Sequence, residues 1–134
     1  MRSKFERRVA QSLKDRGVQY TYEEYSYEYA VKVVRSECQD CGSTNVVTGS
    51  RWYTPDFFLS NGIIIETKGE FTAKDRVKMV AVKEQHPELD LRLVFMRDNK
   101  LSRQSRTRYS EWAKKNGFKY AISDVPDAWL KETK

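Results

Sequence analysis

The feature that most constrains the fold is the segment YTPDFFLSNGIIIETKG at residues 53–69. It places Asn61-Gly62 between two apolar runs, a pattern typical of the two-residue turn of a β-hairpin. The run at residues 63–65 consists of three β-branched isoleucines and predicts a buried strand. This strand ends in Glu66 and Lys68, and charges beside a core need a partner, a metal ion or a reaction. The segment therefore predicts a hairpin that carries chemistry at its end.

The length and charge of the chain bound its class. A chain of 134 residues can bury a core of its own, and we expect a single domain over residues 1–134. The formal net charge of +6 favours a polyanionic partner such as nucleic acid or an anionic surface. No apolar run approaches the ~20 residues that span a bilayer, and the basic N-terminus lacks the apolar stretch of a secretory signal. We therefore expect a cytoplasmic protein with no membrane partner.

Hydrophobic periodicity predicts both helices and strands. A first helix begins after Ser3, which can cap it, and ends at Gly17. Extended chain is predicted at residues 18–34, with a break near Glu23-Glu24 because the alternation of tyrosines changes parity there. The remaining pattern predicts an extended segment at 52–59, strands at 63–67, 91–95 and 118–122, and helices at 73–85, 109–116 and 127–130. This order predicts an α/β layered domain with a mixed sheet.

Two polar segments lack this periodicity. Residues 35–50 contain two glycines and the only cysteines, Cys38 and Cys41, and are interpreted as an inserted loop or small knuckle. Residues 97–108 form a basic run that we interpret as flexible chain. Two thiols in a cytosolic chain do not make a disulfide framework. Cys38 and Cys41 either stay free or supply half of a four-ligand zinc site.

The predicted hairpin brings two carboxylates together. Asp56 and Glu66 lie on its two strands and can face each other, where they repel unless a cation lies between them. Carboxylate oxygens completed by water are the ligands that Mg²⁺ prefers. Lys68 lies two residues after Glu66 and so points to the same face, where it can hold an attacking water or help deprotonate it. Metal, nucleophile and charge stabilisation are what hydrolysis of a phosphodiester requires.

The pairing of Pro55-Asp56 with Glu66-Thr67-Lys68 resembles the PD-(D/E)xK nuclease superfamily. Three longer blocks, YTPDFFLSNGIIIETKG, KEQHPELDLRLVF and WAKKNGFKYA, are similar to the bacteriophage endonuclease I family. The resemblance runs from the first helix to Trp129. It implies a restriction-endonuclease-like mixed β-sheet flanked by helices, in an intertwined homodimer whose subunits exchange elements. It also implies a Holliday junction resolvase, which would work in the host cell cytoplasm if a phage encodes it.

The resemblance further implies roles for individual residues. Asp56 would bridge two divalent ions, Mg²⁺ or Mn²⁺, in one active site. Glu66 and the backbone carbonyl of Thr67 would hold one ion, and Glu6 of the first helix would help to hold the other. Lys68 would position the nucleophilic water. Alternatives remain open, since Glu6 also stands where a capping box needs it, Asp56 could be a turn acid, and Glu66 with Lys68 could be a surface ion pair.

Basic residues along the chain are candidates for phosphate contact, although a basic run is often only a solvated loop. The candidates are Arg2, Lys4, Arg7, Arg8, Lys74, Arg76, Lys78, Arg97, Lys100, Arg103, Arg106 and Arg108. His86, the only histidine, is interpreted as a helix-end or surface residue. Family members carry a longer basic N-terminal arm, so what replaces that arm here is open. The cysteine pair falls in the segment through which family subunits exchange elements, which suggests one Zn²⁺ shared between two subunits as a hypothesis.

We therefore expect a divalent-metal-dependent endonuclease that resolves four-way junctions and other branched DNA. A twofold dimer matches the two symmetric cleavage points of such a junction. The first alternative is an endonuclease of the same superfamily that cleaves or nicks ordinary duplex. The second is a non-catalytic DNA-binding protein with this fold.

Overall fold

The computed structural model describes residues 3–37 and 44–133, without the side chains of residues 33–37 and 44–47. In chain order its elements are α1 (Lys4–Asp15), β1 (Tyr20–Tyr22), β2 (Tyr27–Glu37), β3 (Thr44–Tyr53), β4 (Phe57–Leu59), β5 (Ile63–Lys68), α2 (Ala73–Gln85), β6 (Asp90–Phe95), α3 (Tyr109–Lys115), β7 (Tyr120–Ile122) and α4 (Asp127–Leu130). No helix within the described ranges has the length and apolarity needed to cross a membrane.

The sheet is mixed, as the sequence predicts, and its five strands lie in the order β1-β4-β5-β6-β7. Strand β4 runs antiparallel to β1 and β5, whereas β5, β6 and β7 are mutually parallel. The predicted hairpin is confirmed: Phe57 lies opposite Ile65 and Phe58 opposite Ile64. Gly62 occupies its turn with a φ of +90°, a conformation that glycine adopts without steric cost.

The sheet is buried on both faces, which explains the uninterrupted isoleucine run of β5. Ile63 and Ile65 lie in one core cluster with Phe5, Val9 and Leu13 of α1. Ile64 points the other way and belongs to a second cluster. This second cluster contains apolar residues of α2 and α3, together with Tyr29 of β2 and Tyr53 of β3.

Helix α1 starts as predicted, since the Ser3 hydroxyl accepts a hydrogen bond from the Glu6 backbone N–H at 3.0 Å. Gly17 follows the helix with a φ of +70°. Helix α2 begins with a complete capping box, in which Thr72 and Asp75 each accept a hydrogen bond from the other's backbone N–H. Both helices are therefore fixed at the ends that lie nearest the predicted chemistry.

The interpretation of residues 35–50 as a loop is wrong at both flanks. Strands β2 and β3 form an antiparallel ribbon whose paired residues extend to Glu37 and Thr44, with a register shift between Val34 and Ser36. The polar composition reflects a two-stranded ribbon that lies outside the main sheet, since Lys32, Thr48 and Ser50 are exposed. The β-branched residues at 46–48 favour the strand. Cys38 and Cys41 lie outside the described residues.

The expected break near Glu23-Glu24 is confirmed, because β1 ends at Tyr22 and β2 starts at Tyr27 in a different sheet. The ribbon contacts the C-terminal end of α2 through hydrogen bonds. The Gln85 side chain bonds both the N–H and the carbonyl of Ala30, at 2.7 and 2.9 Å. His86 caps the helix, and its Nε2 lies 2.6 Å from the Glu28 carbonyl oxygen. His86 therefore joins helix to ribbon and plays a structural part.

The basic segment at residues 97–108 contains no helix or strand of the described set, as expected. It is nevertheless closed at its base by a β-bridge between Lys100 and Arg108. The Arg108 guanidinium donates to the Asp98 carbonyl at 2.8 Å. The Asp98 carboxylate in turn accepts from the backbone N–H and hydroxyl of Ser110. Residues 97–108 therefore form a loop that is held at its base and leads into α3, and we call it the tied loop.

Arg92 is a buried cation within the sheet, with only 1% of its surface exposed. Its guanidinium binds the Asp90 carboxylate through two bonds of 2.8 Å and the Glu132 carboxylate through bonds of 2.5 and 2.9 Å. It also lies 5.2 Å from the Trp129 ring centroid. Two exposed acidic partners and an aromatic ring thus offset the cost of burying this charge.

We predict that Arg92→Ala lowers the free energy of unfolding by about 2–5 kcal/mol, the range for emptying a large buried site. The C-terminal turn would also lose its ion pair with the sheet, while the hydrogen bonds from Asn61 to Trp129 and Glu132 remain. Urea denaturation measures the loss. Lys119→Ala, at an exposed position just before β7, is the control and should change stability little. Equal effects of the two substitutions would contradict the structural role of Arg92.

Candidate active site

The predicted chemical residues converge where the β4–β5 hairpin meets α1. Helix α1 supplies Glu6, and the bend after β1 supplies Glu23. The residue before β4 is Asp56, and the end of β5 contributes Glu66, Thr67 and Lys68. Four separate stretches of chain therefore meet at one place, and pairing of β1 and β5 with β4 brings three of them together.

Asp56 is buried and held in one orientation. Its Oδ2 accepts hydrogen bonds from the Thr67 backbone N–H at 2.8 Å and from the Thr67 hydroxyl at 2.7 Å. Burial raises the pKa of Asp56 and the nearby Glu6 raises it further, whereas the Thr67 bonds and Lys68 act to lower it. Thr67 therefore orients Asp56 through its amide and hydroxyl. A ligand role for the Thr67 carbonyl stays a prediction.

Glu6, Glu23 and Asp56 form a compact group of oxygen donors. One carboxylate oxygen from each lies within 4.8 Å of the others. The Glu6 carboxylate also accepts a hydrogen bond from the Tyr22 hydroxyl. Although the Glu6 N–H takes part in the helix cap, its side chain thus faces the β1–β4 edge, and capping alone does not account for this residue.

Glu23 is a site residue that the sequence analysis missed. Its φ of +49° is in the left-handed region, which costs a non-glycine residue about 1–2 kcal/mol. Its N–H donates to the Asp56 carbonyl at 3.0 Å, so the bend after β1 is attached directly to the aspartate. The only sequence signal was the change of tyrosine parity at Glu23-Glu24, which indicated a break but gave no chemical role.

Glu66 is buried on the opposite face of β5 from Thr67. Its Oε2 accepts a hydrogen bond of 2.7 Å from the Tyr53 hydroxyl. Burial, followed by repulsion from Asp56, raises the pKa of Glu66 to about 8, while Lys68, Tyr53 and Lys78 act to lower it. Without a cation, this carboxyl group therefore keeps its proton at neutral pH.

Lys68 points to the same face as Glu66, as strand alternation predicts. Its Nζ lies 3.2 Å from Oδ1 of Asp75 in the first turn of α2. Burial acts to raise the pKa of Asp75, but the charge of Lys68 and the hydrogen bonds from Thr72 together lower it. Asp75 therefore remains ionised and holds the ammonium group. The sequence analysis gave Asp75 no part in the site.

The donor set fits a hard divalent cation. Glu6, Glu23 and Asp56 offer carboxylate oxygens, and Mg²⁺ and Mn²⁺ favour carboxylate oxygens completed by water. Burial is the main cause that raises the pKa values of Asp56 and Glu66, and repulsion from a neighbouring carboxylate adds to it, from Glu6 for Asp56 and from Asp56 for Glu66. A cation at this place would relieve that repulsion. The geometry therefore favours a metal site at the end of the hairpin over a surface ion pair.

The predicted phosphate-binding residues lie on several surfaces. Within the described ranges, Arg76 is half-buried and donates to the Phe71 carbonyl at 2.8 Å, and Arg8 donates to the Ser123 carbonyl at 3.1 Å. Lys78 on α2 is also half-buried, and the others are exposed on α1, on α2 and on the tied loop: Lys4, Arg7, Lys74, Arg97, Lys100, Arg103, Arg106 and Arg108. Arg2 lies outside the described residues.

Comparison with known proteins places this geometry in context. The family model described as "Phage endonuclease I" matches residues 1–134. The chain is 38% identical over 134 residues to "Endonuclease I" of Escherichia phage T7, with 99% of this chain and 80% of the relative covered. It is 39% identical to "Endodeoxyribonuclease 1" of Enterobacteria phage T3, with 99% of this chain and 78% of the relative covered.

We predict that Glu66→Gln makes the metal-free protein more stable than wild type, and increasingly so as the pH rises. The pKa of Glu66 is 4.5 in its ordinary state and about 8 in the fold. Between these values the unfolded chain loses a proton that the folded chain keeps, so wild-type stability falls with rising pH. The gap should widen by at most about 1.4 kcal/mol per pH unit.

Urea denaturation in EDTA at several pH values measures this difference. Glu84→Gln removes an exposed carboxylate from α2 and serves as the control, which should follow the wild-type pH profile. Parallel profiles for Glu66→Gln and wild type would show that the buried carboxyl group titrates normally.

Proposed function

This chain belongs to the phage endonuclease I family, and from that membership we propose that it is a divalent-metal-dependent endonuclease that resolves four-way junctions and other branched DNA. The reaction would be hydrolysis of a DNA phosphodiester, in keeping with the endonuclease and endodeoxyribonuclease names of the two relatives. The observation that carries the proposal is the group of Glu6, Glu23 and Asp56 beside buried Glu66 and Lys68.

Five residues would hold the metal ions. Asp56 would be shared between two ions, with Glu66 and the Thr67 carbonyl on one side and Glu6 and Glu23 on the other. When bound, two Mg²⁺ or Mn²⁺ ions supply Lewis-acid stabilisation of both the attacking and the leaving oxygen. The residues of the chain would orient the phosphate and hold the attacking water. Thr67 and Tyr53 contribute by fixing Asp56 and Glu66 through hydrogen bonds.

Lys68 is the residue that would act on the attacking water. Its ammonium group shares a face of β5 with Glu66, and Asp75 restrains it at 3.2 Å. A cation held there can donate to the water and to a phosphate oxygen as negative charge develops. Asp75 positions Lys68 without touching substrate, so the two residues act as a unit.

Recognition would depend on the shape of the DNA and the placement of its phosphates. The exposed lysines and arginines on α1, α2 and the tied loop suit backbone contacts, which position a duplex without reading its bases. A homodimer would present two active sites to the two symmetric strands of a junction. We also propose the restriction-endonuclease-like fold and exchange of elements between subunits, on the strength of the mixed sheet and the family membership.

The decisive experiment compares a synthetic four-way junction with linear duplex of the same sequence, each with Mg²⁺ or with EDTA. We expect Mg²⁺-dependent cleavage of the junction at symmetric positions and little cleavage of the duplex. Equal cleavage of both substrates would indicate an ordinary duplex or nicking endonuclease. DNA binding without any cleavage would indicate a non-catalytic protein.

We predict that Lys68→Ala lowers the rate of junction cleavage by at least about a hundredfold, the effect typical of removing a charge-stabilising donor. The affinity of the variant for the junction should stay the same, because Lys68 acts on the attacking water and other residues make most of the DNA contacts. Single-turnover cleavage and gel-shift titration measure the two quantities. Lys114→Ala, on the exposed side of α3, is the matched control. Parallel loss of binding and cleavage would refute the role assigned to Lys68.

We predict that Glu23→Gln weakens Mn²⁺ binding by at least about tenfold, a loss within the range seen when groups that support a metal shell are removed. The substitution keeps the size of the side chain and the backbone bond to Asp56. Isothermal titration with Mn²⁺ gives the stoichiometry and affinity directly. Glu24→Gln changes the exposed neighbour and should bind as wild type does. If both variants bind alike, Glu23 is not a ligand.

The zinc hypothesis for Cys38 and Cys41 stays a prediction, because both residues lie outside the described part of the chain. We predict about one Zn²⁺ per dimer, held by four thiolates from two subunits. Metal analysis of purified protein measures it, and a Cys38→Ser, Cys41→Ser variant should contain none. Zinc near zero in wild-type protein would leave the pair as free thiols.

A further inference from the structure

A groove of about 570 Å³ lies between the β2–β3 ribbon and α2. Its apolar lining includes Tyr29, Val31, Trp52 and Val77. Two of these side chains are unusually open for their type, since Val77 is 72% exposed and Trp52 is 65% exposed. Contiguous exposed apolar side chains often mark a binding surface. The groove is not used in the mechanism described above.

The charges around the groove identify its class of occupant. Among the described residues that line it, the charged ones are Arg51, Lys74 and Lys78, and none is acidic. These three cations would repel the same rim of a second copy and attract a polyanion. An apolar floor with cations at its rim instead suits a nucleotide, which joins an apolar ring face to a phosphate.

The groove adjoins the candidate active site. The Nζ of Lys78 lies 5.0 Å from the centroid of the Tyr53 ring, and the Tyr53 hydroxyl donates to Glu66 at 2.7 Å. Trp52 is the residue before Tyr53 on the same strand. At its other end the groove includes Ala73 and Lys74, the first residues of α2, where the helix dipole favours a phosphate. DNA bound at the carboxylates would therefore pass over or into this groove.

We propose that the groove binds one unstacked nucleotide of the DNA strand being cut, with Trp52 as the stacking surface and Arg51 and Lys74 as phosphate contacts. This inference rests on the proposed function and gives it a source of substrate selectivity. Unstacking a base costs least where its pairing is already disturbed, and pairs at a branch point have lost a stacked neighbour that a continuous duplex provides. A base in the groove would thus favour branched DNA over linear duplex.

The test uses four-way junctions that carry 2-aminopurine at successive positions near the branch. Fluorescence is recorded in EDTA, so that binding occurs without cleavage. Wild-type protein should change the fluorescence sharply at one position per cleaved strand, next to the cleavage site, and little elsewhere. A uniform response along the strand, or no response, would overturn the proposal.

Variants assign the response to the groove. Trp52→Ala should abolish the position-specific fluorescence change and weaken junction binding by about 5- to 150-fold, the loss typical of one base–aromatic stack. Trp52→Phe should retain most of both. Val77→Glu, which places a negative charge in the groove, should act like Trp52→Ala. Tyr120→Ala, at an exposed edge of β7, should leave both readouts unchanged.

These outcomes separate this inference from the proposed function. If wild-type protein cleaves junctions and Trp52→Ala binds and cleaves them equally well, the nucleotide-binding role of the groove is wrong and the proposed nuclease function stands. Wild-type protein that fails to cleave any junction would sink the proposed function first. If Trp52→Ala changes the oligomeric state on gel filtration but not the 2-aminopurine signal, a second copy of the chain occupies the groove and the proposal is wrong.

Discussion

The rest of the site depends on the burial of two carboxyl groups at the end of one hairpin. Asp56 and Glu66 are each 6% exposed, and an acid in that position is costly unless hydrogen bonds or a cation accompany it. Hydrogen bonds offset the cost of burial more for Asp56 than for Glu66. Thr67 gives Asp56 two hydrogen bonds, whereas Glu66 has one from Tyr53 and keeps a raised pKa. A divalent ion at this place would relieve the unmet part of this cost.

The supporting residues are distributed so that each ion would face an independent part of the fold. Glu6 and Glu23 come from the N-terminal α1–β1 unit, while Glu66 and Lys68 come from β5 and face α2. Asp56 stands between the two groups, and its backbone carbonyl and side chain are both bonded. A shift of α1 would therefore disturb one ion more than the other, and the relative affinities of two bound ions would report on how well the N-terminal unit is seated.

Local signals made much of this fold predictable. The Asn61-Gly62 turn and the isoleucine run determine the hairpin through neighbours in sequence, and with it the approach of Asp56 to Glu66. The missed residues depend on contacts that no local pattern records. Glu23 reaches Asp56 only because β1 pairs with β4. Tyr53, at the end of the ribbon, donates its hydrogen bond to Glu66 on the main sheet. Asp75 both caps α2 and forms an ion pair with Lys68. The parts of the ribbon at residues 35–37 and 44–50 were misread as loop, because polar strands outside the main sheet lack the hydrophobic alternation on which strand prediction relies.

The position of the ribbon in the chain has an evolutionary consequence. Strands β1 and β4 are neighbours in the sheet, with Tyr20 opposite Leu59, and the whole ribbon leaves and re-enters the domain between them. Lengthening such an excursion costs only about 0.6 kcal/mol for each doubling of its length. Insertions there leave the register of the catalytic strands untouched. Apart from Tyr29 and Tyr53, which pack in the core, the ribbon is therefore a region whose size and surface chemistry can vary while the carboxylates keep their geometry.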